Sequence, residues 1–250
     1  MRVSGLVHIH STYSYDGRIS LDEIAEICRT HGHSFVLLTE HAEGMNQGSM
    51  RRLVSECNEK SRDDLIIIPG LEVVCDGNLH ILAFGVDEYL NITDPEKLVE
   101  QVHHLDGLAV LAHPSRKTSA KRVAELELDA LEIWNARHDG RLAPRVASIK
   151  LLKSIGDGYL PGCCGLDLHD KKKFVNLHIR MDVKELSREN ILRNIKLGKF
   201  KISNNIISVN PNEDPNIMGK SFYYAINSFN YSLKLLRICY KKIEKFLMKT

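Results

Sequence analysis

Leu6-Val7-His8-Ile9-His10 is an apolar, β-like run in which two imidazoles alternate with aliphatic side chains. Residues i and i+2 of a strand share one face, so His8 and His10 can reach the same metal ion. Alone the pair says little, because histidine also serves as an ordinary polar residue on strands. Its weight comes from the residues further along the chain. Further β-like runs are Phe35-Val36-Leu37-Leu38, Leu65-Ile66-Ile67-Ile68, Leu79-His80-Ile81-Leu82-Ala83-Phe84, Leu108-Ala109-Val110-Leu111 and Ala130-Leu131-Glu132-Ile133-Trp134. Shorter ones are expected near Tyr159-Leu160 and over 175–183.

Amphipathic helix-like segments separate most of these runs. One starts at Ser20 with Glu23 three residues on, the form of a capping box. Another starts at Asp94-Pro95, with Pro at the first helical position. Others cover about 48–60, 119–126, 142–154 and 188–198. Strands alternating with helices imply parallel β-α units, and seven or so such units imply an α/β barrel rather than an open sheet.

Metal-ligating residue types recur where these runs end. Thr39-Glu40-His41 closes the second, Gly70-Leu71-Glu72 follows the third, His80 lies in the fourth, and Ala112-His113-Pro114 ends the fifth. Gly165-Leu166-Asp167-Leu168-His169 comes late in the series and repeats the i, i+2 spacing of His8 and His10. A β/α barrel gathers its active site at the C-terminal ends of its strands. Of the twelve His in the chain, six fall at such points, interleaved with Asp16, Glu72 and Asp167. Core histidines account for one or two of them, not for the ring. The others (His31, His33, His103, His104, His138 and His178) need no function.

The ordered set His8-x-His10, Asp16, His41, Glu72, His80, His113 and Asp167-x-His169 resembles the PHP family, named for polymerase and histidinol phosphatase. The resemblance covers roughly residues 3–200. It implies a distorted (β/α)7 barrel and a trinuclear centre of divalent transition metals, two to three per chain, with Zn, Mn or Fe suited to imidazole and carboxylate donors. Carried over, His8, His10, Glu72 and Asp167 would hold one ion. Glu72 would bridge to a second, held also by His80 and His113. Asp16, His41 and His169 would hold a third. The implied chemistry is phosphate-ester hydrolysis by a metal-activated hydroxide, with Glu72, Asp167 and His169 as candidate catalytic residues. Many members carry Asp before the histidine of the second motif, whereas this chain has Glu40. The longer side chain leaves His41 in place and bears only on its surroundings.

Arg116, Arg137 and Arg141 are the candidate substrate-binding residues. Arg116 follows His113-Pro114 on a loop that should face the site, and Arg137 and Arg141 follow the sixth strand. The domain reading is a barrel over 1–203, then a linker rich in Asn, Pro, Ser and Gly, and one basic C-terminal helix within 204–250. Phe222, Ile226, Phe229, Leu233, Leu236 and Tyr240 stand at helical spacing in that tail. Such a helix would dock on the barrel or contact a partner or membrane surface.

The chain has 250 residues, 43% hydrophobic and 26% charged, as in one soluble domain of barrel size. No N-terminal signal pattern and no transmembrane run appears, so a cytoplasmic protein is expected. Six cysteines without a CxxC pair read as free thiols. Cys163-Cys164 lies beside the late motif and is better read as small buried apolar residues than as ligands. The formal charge of +2 is uneven: 221–250 holds six Lys/Arg against one Glu, leaving −3 on the first 220 residues. That balance does not advertise a long basic groove. A phosphomonoester of a small molecule or short nucleotide is therefore the favoured substrate. An exonuclease or phosphodiesterase acting on nucleic acid comes second, and a metal-binding regulatory or scaffolding module without catalysis third.

Overall fold

A computed structural model describes residues 1–156, 160–211, 219, 221–233 and 235. Chain order is β1 (Arg2–Ile9), α1 (Leu21–Thr30), β2 (Phe35–Leu38), β3 (Glu40–His41), α2 (Gln47–Lys60), β4 (Ile66–Ile68), β5 (Gly70–Cys75), β6 (Leu79–Phe84), α3 (Pro95–His104), β7 (Leu108–Leu111), α4 (Ala120–Ala124), β8 (Ala130–Asn135), α5 (Ala136–Asp139), α6 (Val146–Ser154), β9 (Gly162–Gly165), β10 (His178–Asp182), α7 (Arg188–Lys196), β11 (Lys201–Ser203) and β12 (Ser208–Val209). Both expected helix starts form: Ser20 and Glu23 complete a reciprocal capping box, and Asp94 caps a helix that begins at Pro95.

The fold is mixed α/β. Among the described residues the strands pair as two six-stranded sheets, in the orders β12-β11-β10-β1-β2-β4 and β3-β5-β6-β7-β8-β9. The pairing is not one closed barrel. The sheets nevertheless meet at two seams. β2 and β4 run on, after a one-residue break, into β3 and β5. On the other side β1 meets the segment after β9, where Leu166 N–H donates to Val7 O and His10 N–H to Leu168 O, both at 2.9 Å. Aliphatic residues of these strands form the core, and Trp134 is fully buried, with Nε1 donating to Gly140 O.

The all-parallel expectation needs correction. β5 pairs antiparallel with β6, β6 with β7, and β1 with β10. The β5–β6 connection is a tight hairpin in which Gly77 (φ 76°) and Asn78 (φ 59°) take the left-handed region, the conformation that these two residue types favour in turns. The strand expected near Tyr159-Leu160 forms instead at Gly162–Gly165; Tyr159 itself lies outside the described residues. Ser208–Val209, within the segment read as a linker, pairs with β11.

The C-terminal segment is helical over 221–233, but its buried face is not the expected one. Phe222, Phe229 and Leu233 are exposed, while Tyr223 is buried. Tyr223, Ile226, Asn227 and Asn230 form the docked stripe, at spacing i, i+3, i+4 and i+7. Asn227 accepts from Val146 N–H (3.1 Å) and donates to Pro144 O (3.0 Å), and Asn230 donates to Asp139 O (2.8 Å). The docking is thus carried partly by amides that bond backbone at the end of α5, at Pro144 and at the start of α6, which a hydrophobic pattern does not reveal. Leu236 and Tyr240 lie outside the described residues. No helix among the described residues is long and apolar enough to cross a membrane.

Candidate metal centre

His8 occupies a register shift between β1 and β2 and has φ 62°. His113 (φ 24°), after β7, and Asp167 (φ 51°), after β9, also take left-handed backbone. Such conformations cost on the order of 1–3 kcal/mol in non-glycine residues and concentrate at functional sites. The first and last of these are tied together, since Asp167 N–H donates to His8 O at 2.7 Å.

The carboxylate of Glu72 is the hub. Its Oε2 lies 3.3 Å from His8 Nε2 and 3.2 Å from His10 Nε2. Its Oε1 lies 2.7 Å from His80 Nδ1 and 3.1 Å from His113 Nε2. Each oxygen therefore faces its own pair of imidazoles. His41 approaches with Nδ1 3.6 Å from Oε2, and turns Nε2 toward Asp16 Oδ1 (3.4 Å) and His169 Nε2 (3.3 Å). His169 Nε2 stands 3.3 Å from Asp16 Oδ1 and its Nδ1 3.3 Å from Asp167 Oδ1. Asp167 also lies 3.9 Å from His10 and 4.0 Å from His113. All nine residues picked from the sequence thus lie in one connected cluster.

The donor atoms fit a cation better than they fit one another. A neutral imidazole has one N–H and one lone pair, so the facing nitrogens of His41 and His169 can satisfy each other only with opposite tautomers. His10 Nε2 is close to Glu72 but misaligned, and it is left buried without a hydrogen-bond partner, as is Asp16 Oδ1. Four overlapping groups bring three donor atoms within metal-binding distance of one another: His8-His10-Glu72, Glu72-His80-His113, His10-His41-His169 and His8-His113-Asp167.

Electrostatics favour ionised carboxylates. Burial opposes charge on Glu72, but His10, His113, His8 and His80 outweigh it and hold the carboxyl well below its usual range. Burial likewise opposes charge on Asp167, and His138, His8 and Arg137 override it, so this carboxyl too stays below its usual range. Burial drives the His10 imidazole down to about 3, so the ring is neutral and keeps one lone pair for a metal.

Two residues of the site escape a reading of the sequence. Glu132, on β8, is fully buried; it meets His8 Nδ1 at 2.7 Å and accepts from His113 N–H and Asn135 Nδ2. The available signal is a lone carboxylate in an otherwise apolar strand. His138, read from the sequence as needing no function, lies with Nε2 3.1 Å from Asp167 Oδ2. Glu40, one methylene longer than the Asp considered above, is buried; it accepts from Ser11 N–H and from Ser14 Oγ (2.6 Å), while Ser14 Oγ accepts from His41 N–H (2.9 Å). The extra methylene is accommodated by a serine relay.

The three arginines separate. Arg137 Nη1 donates to Asp167 Oδ1 at 2.8 Å and lies 3.0 Å from His169 Nδ1. Arg116 lines the same cleft but sits over the Tyr231 ring, 5.5 Å from its centroid. Arg141 is exposed, is not among the cleft-lining residues, and has its backbone carbonyl capped by Asn204. Cys163 and Cys164 are buried, and burial together with Glu132 pushes both thiols well up, so they are protonated apolar fillers.

No family model matches the sequence. An uncharacterised protein of Methanocaldococcus jannaschii is 24% identical over 162 residues, 60% of this chain and 91% of that one. A two-domain Bacteroides vulgatus protein, described as containing a predicted PHP-like metal-dependent phosphoesterase, superposes with TM-score 0.63 at 17% identity, over 81% of this chain and 65% of its own. The lesion-specific Endonuclease Q of Pyrococcus furiosus superposes with TM-score 0.58 at 20% identity, over 81% of this chain and 58% of its own. The chain therefore spans about two thirds or less of these two structures, and it shares its fold with the PHP-like metal-dependent phosphoesterases.

Proposed function

We propose that the chain is a metal-dependent phosphoesterase. The observation that carries this reading is Glu72, whose two carboxylate oxygens each face a separate pair of imidazoles. A carboxylate so placed is suited to bridge two ions. In this reading His8, His10, Glu72 and Asp167 would hold one ion, Glu72, His80 and His113 a second, and Asp16, His41 and His169 a third. The seam between β1 and the segment after β9 supports describing the two sheets together as a distorted (β/α)7 barrel.

Bound divalent ions would supply Lewis acidity, making water more acidic and neutralising charge on phosphoryl oxygens. The chain's own residues do the rest. Glu132 fixes the His8 ring through Nδ1, which directs Nε2 at Glu72. Arg137, at the edge of the cluster, offers a planar fork suited to phosphoryl oxygens. His138, beside Asp167 and half exposed, can carry a proton to or from the cleft. The favoured substrate is a phosphomonoester of a small molecule or short nucleotide.

A second reading, a nucleic-acid phosphodiesterase, is favoured by the size of the cleft, about 1360 Å³, against the roughly 300–1,000 Å³ of ordinary small-ligand sites. A panel of phosphomonoesters and short oligonucleotides, assayed with Mn and with Zn, separates the two. Elemental analysis of protein purified without chelator is expected to find two to three transition-metal ions per chain. Less than one ion, with no uptake on reconstitution, would sink the phosphoesterase reading.

A further inference from the structure

The cleft above the histidine cluster has a second wall that a simple phosphate-binding site does not require. Because the C-terminal helix docks through Tyr223, Ile226, Asn227 and Asn230, the adjacent stripe Tyr224, Ser228, Tyr231 and Leu235 lines the same cavity as Glu72, His80 and Asp167. Its spacing of i, i+4, i+7 and i+11 is that of one helix face. Two tyrosines on this wall meet cations from the body: Lys150 Nζ lies 5.4 Å from the Tyr224 ring centroid and Arg116 Cζ 5.5 Å from that of Tyr231. Both tyrosines remain about half exposed, at 47% and 52%.

Neither tyrosine hydroxyl appears in a hydrogen bond among the described residues, so what the wall offers is ring surface next to positive charge. Rings stack planar groups of any base type, and cations pair with a neighbouring phosphate. An aliphatic phosphate ester uses the cations and the cluster but leaves the rings idle.

We propose that Tyr224 and Tyr231, with Lys150 and Arg116, form a subsite for a planar nucleobase-like group attached to the substrate phosphate. This rests on the phosphoesterase reading and narrows its substrate to nucleoside phosphoesters. A mononucleotide and the end of a nucleic-acid strand share that chemistry.

The test is equilibrium titration of the full chain, first chelated and then with Mn, using adenosine 5′-monophosphate, glycerol 3-phosphate and a short single strand. The unmodified chain should bind the nucleotide about tenfold tighter than glycerol 3-phosphate, since one stacked base is worth about 1.4 kcal/mol or more. The pair Tyr224→Ala and Tyr231→Ala should bring that ratio near one, while the pair Tyr224→Phe and Tyr231→Phe should keep it. Equal affinity of the unmodified chain for both esters overturns the subsite, whatever the variants do. So does a preference that survives the alanine pair. Tighter binding of the strand than of the mononucleotide assigns the subsite to strand ends; equal or weaker binding assigns it to mononucleotides. Hydrolysis is scored separately: a nucleotide preference without cleavage of any ester supports the subsite and removes the phosphoesterase reading.

Discussion

Glu132 Oε1 lies 2.7 Å from Nδ1 of His8, across 124 positions of sequence and with both side chains fully buried. The other oxygen accepts from the His113 backbone N–H at 2.8 Å and from Asn135 at 3.0 Å. One carboxylate that is not itself in the nine-residue set thus orients two members of it. Burial opposes charge on Glu132, but His8 outweighs it and holds the carboxyl below its usual range. The space is kept open by Gly165, where an added Cβ would stand 1.8 Å from Glu132 Oε1 and 2.9 Å from His8 Cβ.

Substituting Glu132 should therefore weaken metal binding without removing a proposed ligand. Partners behind a ligating histidine are worth about 10–100-fold in metal affinity. Glu132→Gln is expected to raise the dissociation constant for Mn or Zn by that factor. Glu132→Ala, which leaves His8 buried without its partner, should also cost about 3–5 kcal/mol of stability. Gly165→Ala should move affinity the same way as Glu132→Gln. Metal titration of the three variants checks this, and unchanged affinity in all of them would show that the Glu132–His8 contact is only structural.

Asp167→Asn separates chemistry from folding unusually well. Asp167 has φ 51°, which a β-branched residue would strain but which Asn adopts readily. The backbone contact with His8 can then persist while the charge facing Arg137, His138 and His169 is lost. Catalytic efficiency should fall by about two orders of magnitude or more, a far larger effect than the loss of stability that follows from removing a carboxylate held ionised in the fold. Rates and melting curves on one preparation decide it; activity within a few-fold of the unmodified chain would show Asp167 to lie outside the reacting centre.

Much of the centre is legible in the sequence because ligands beside apolar runs are local signals: His41, Glu72 and His113 each close or follow a recognisable run, and His8-x-His10 and Asp167-x-His169 share one spacing. Glu132 is not, because a carboxylate aimed inward from a strand looks the same in sequence as one aimed outward. The antiparallel turn at Gly77-Asn78 is readable from its residue types but is outweighed by the regular alternation of strands and helices. Where the C-terminal helix docks is beyond a reading of the sequence, since Asn227 and Asn230 bind backbone carbonyls far away along the chain. The sequence points Arg116 toward phosphate, and its approach to Tyr231 depends on that same docking.

A pH response is expected away from the metal centre. His33 is buried, with Nδ1 2.9 Å from Ser4 Oγ and Nε2 2.9 Å from Asn176 Oδ1. Burial, with help from His178, lowers its pKa from 6.5 to about 4. The folded ring stays neutral where the unfolded one has already taken a proton. Its contribution is therefore fully present above pH 6.5 and is lost as pH falls from there toward 4. The loss should reach about 1 kcal/mol by pH 5, given ~1.4 kcal/mol per pKa unit and partial solvent screening. Denaturation midpoints from pH 7.5 to 5 should fall more steeply for the unmodified chain than for His33→Gln, and parallel curves would contradict the assignment.

Removing the C-terminal helix should divide substrate binding from metal binding. Every proposed ligand precedes residue 170, whereas the helix contributes Tyr224 and Tyr231 to the far wall of the cleft. Deleting 221–250 should thus leave two to three metal ions per chain. It should also expose Val146 N–H and the carbonyls of Pro144 and Asp139, which Asn227 and Asn230 now satisfy. A hydrogen bond of this kind is worth about 1 kcal/mol, so a modest fall in melting temperature is expected. KM for a nucleoside monophosphate should rise by about tenfold, because the stacking wall is gone. Asn227→Ala with Asn230→Ala should reproduce part of that rise by loosening the helix without deleting it. Loss of bound metal on truncation would mean that the helix supports the cluster itself, through α5, which carries Arg137, His138 and Asp139.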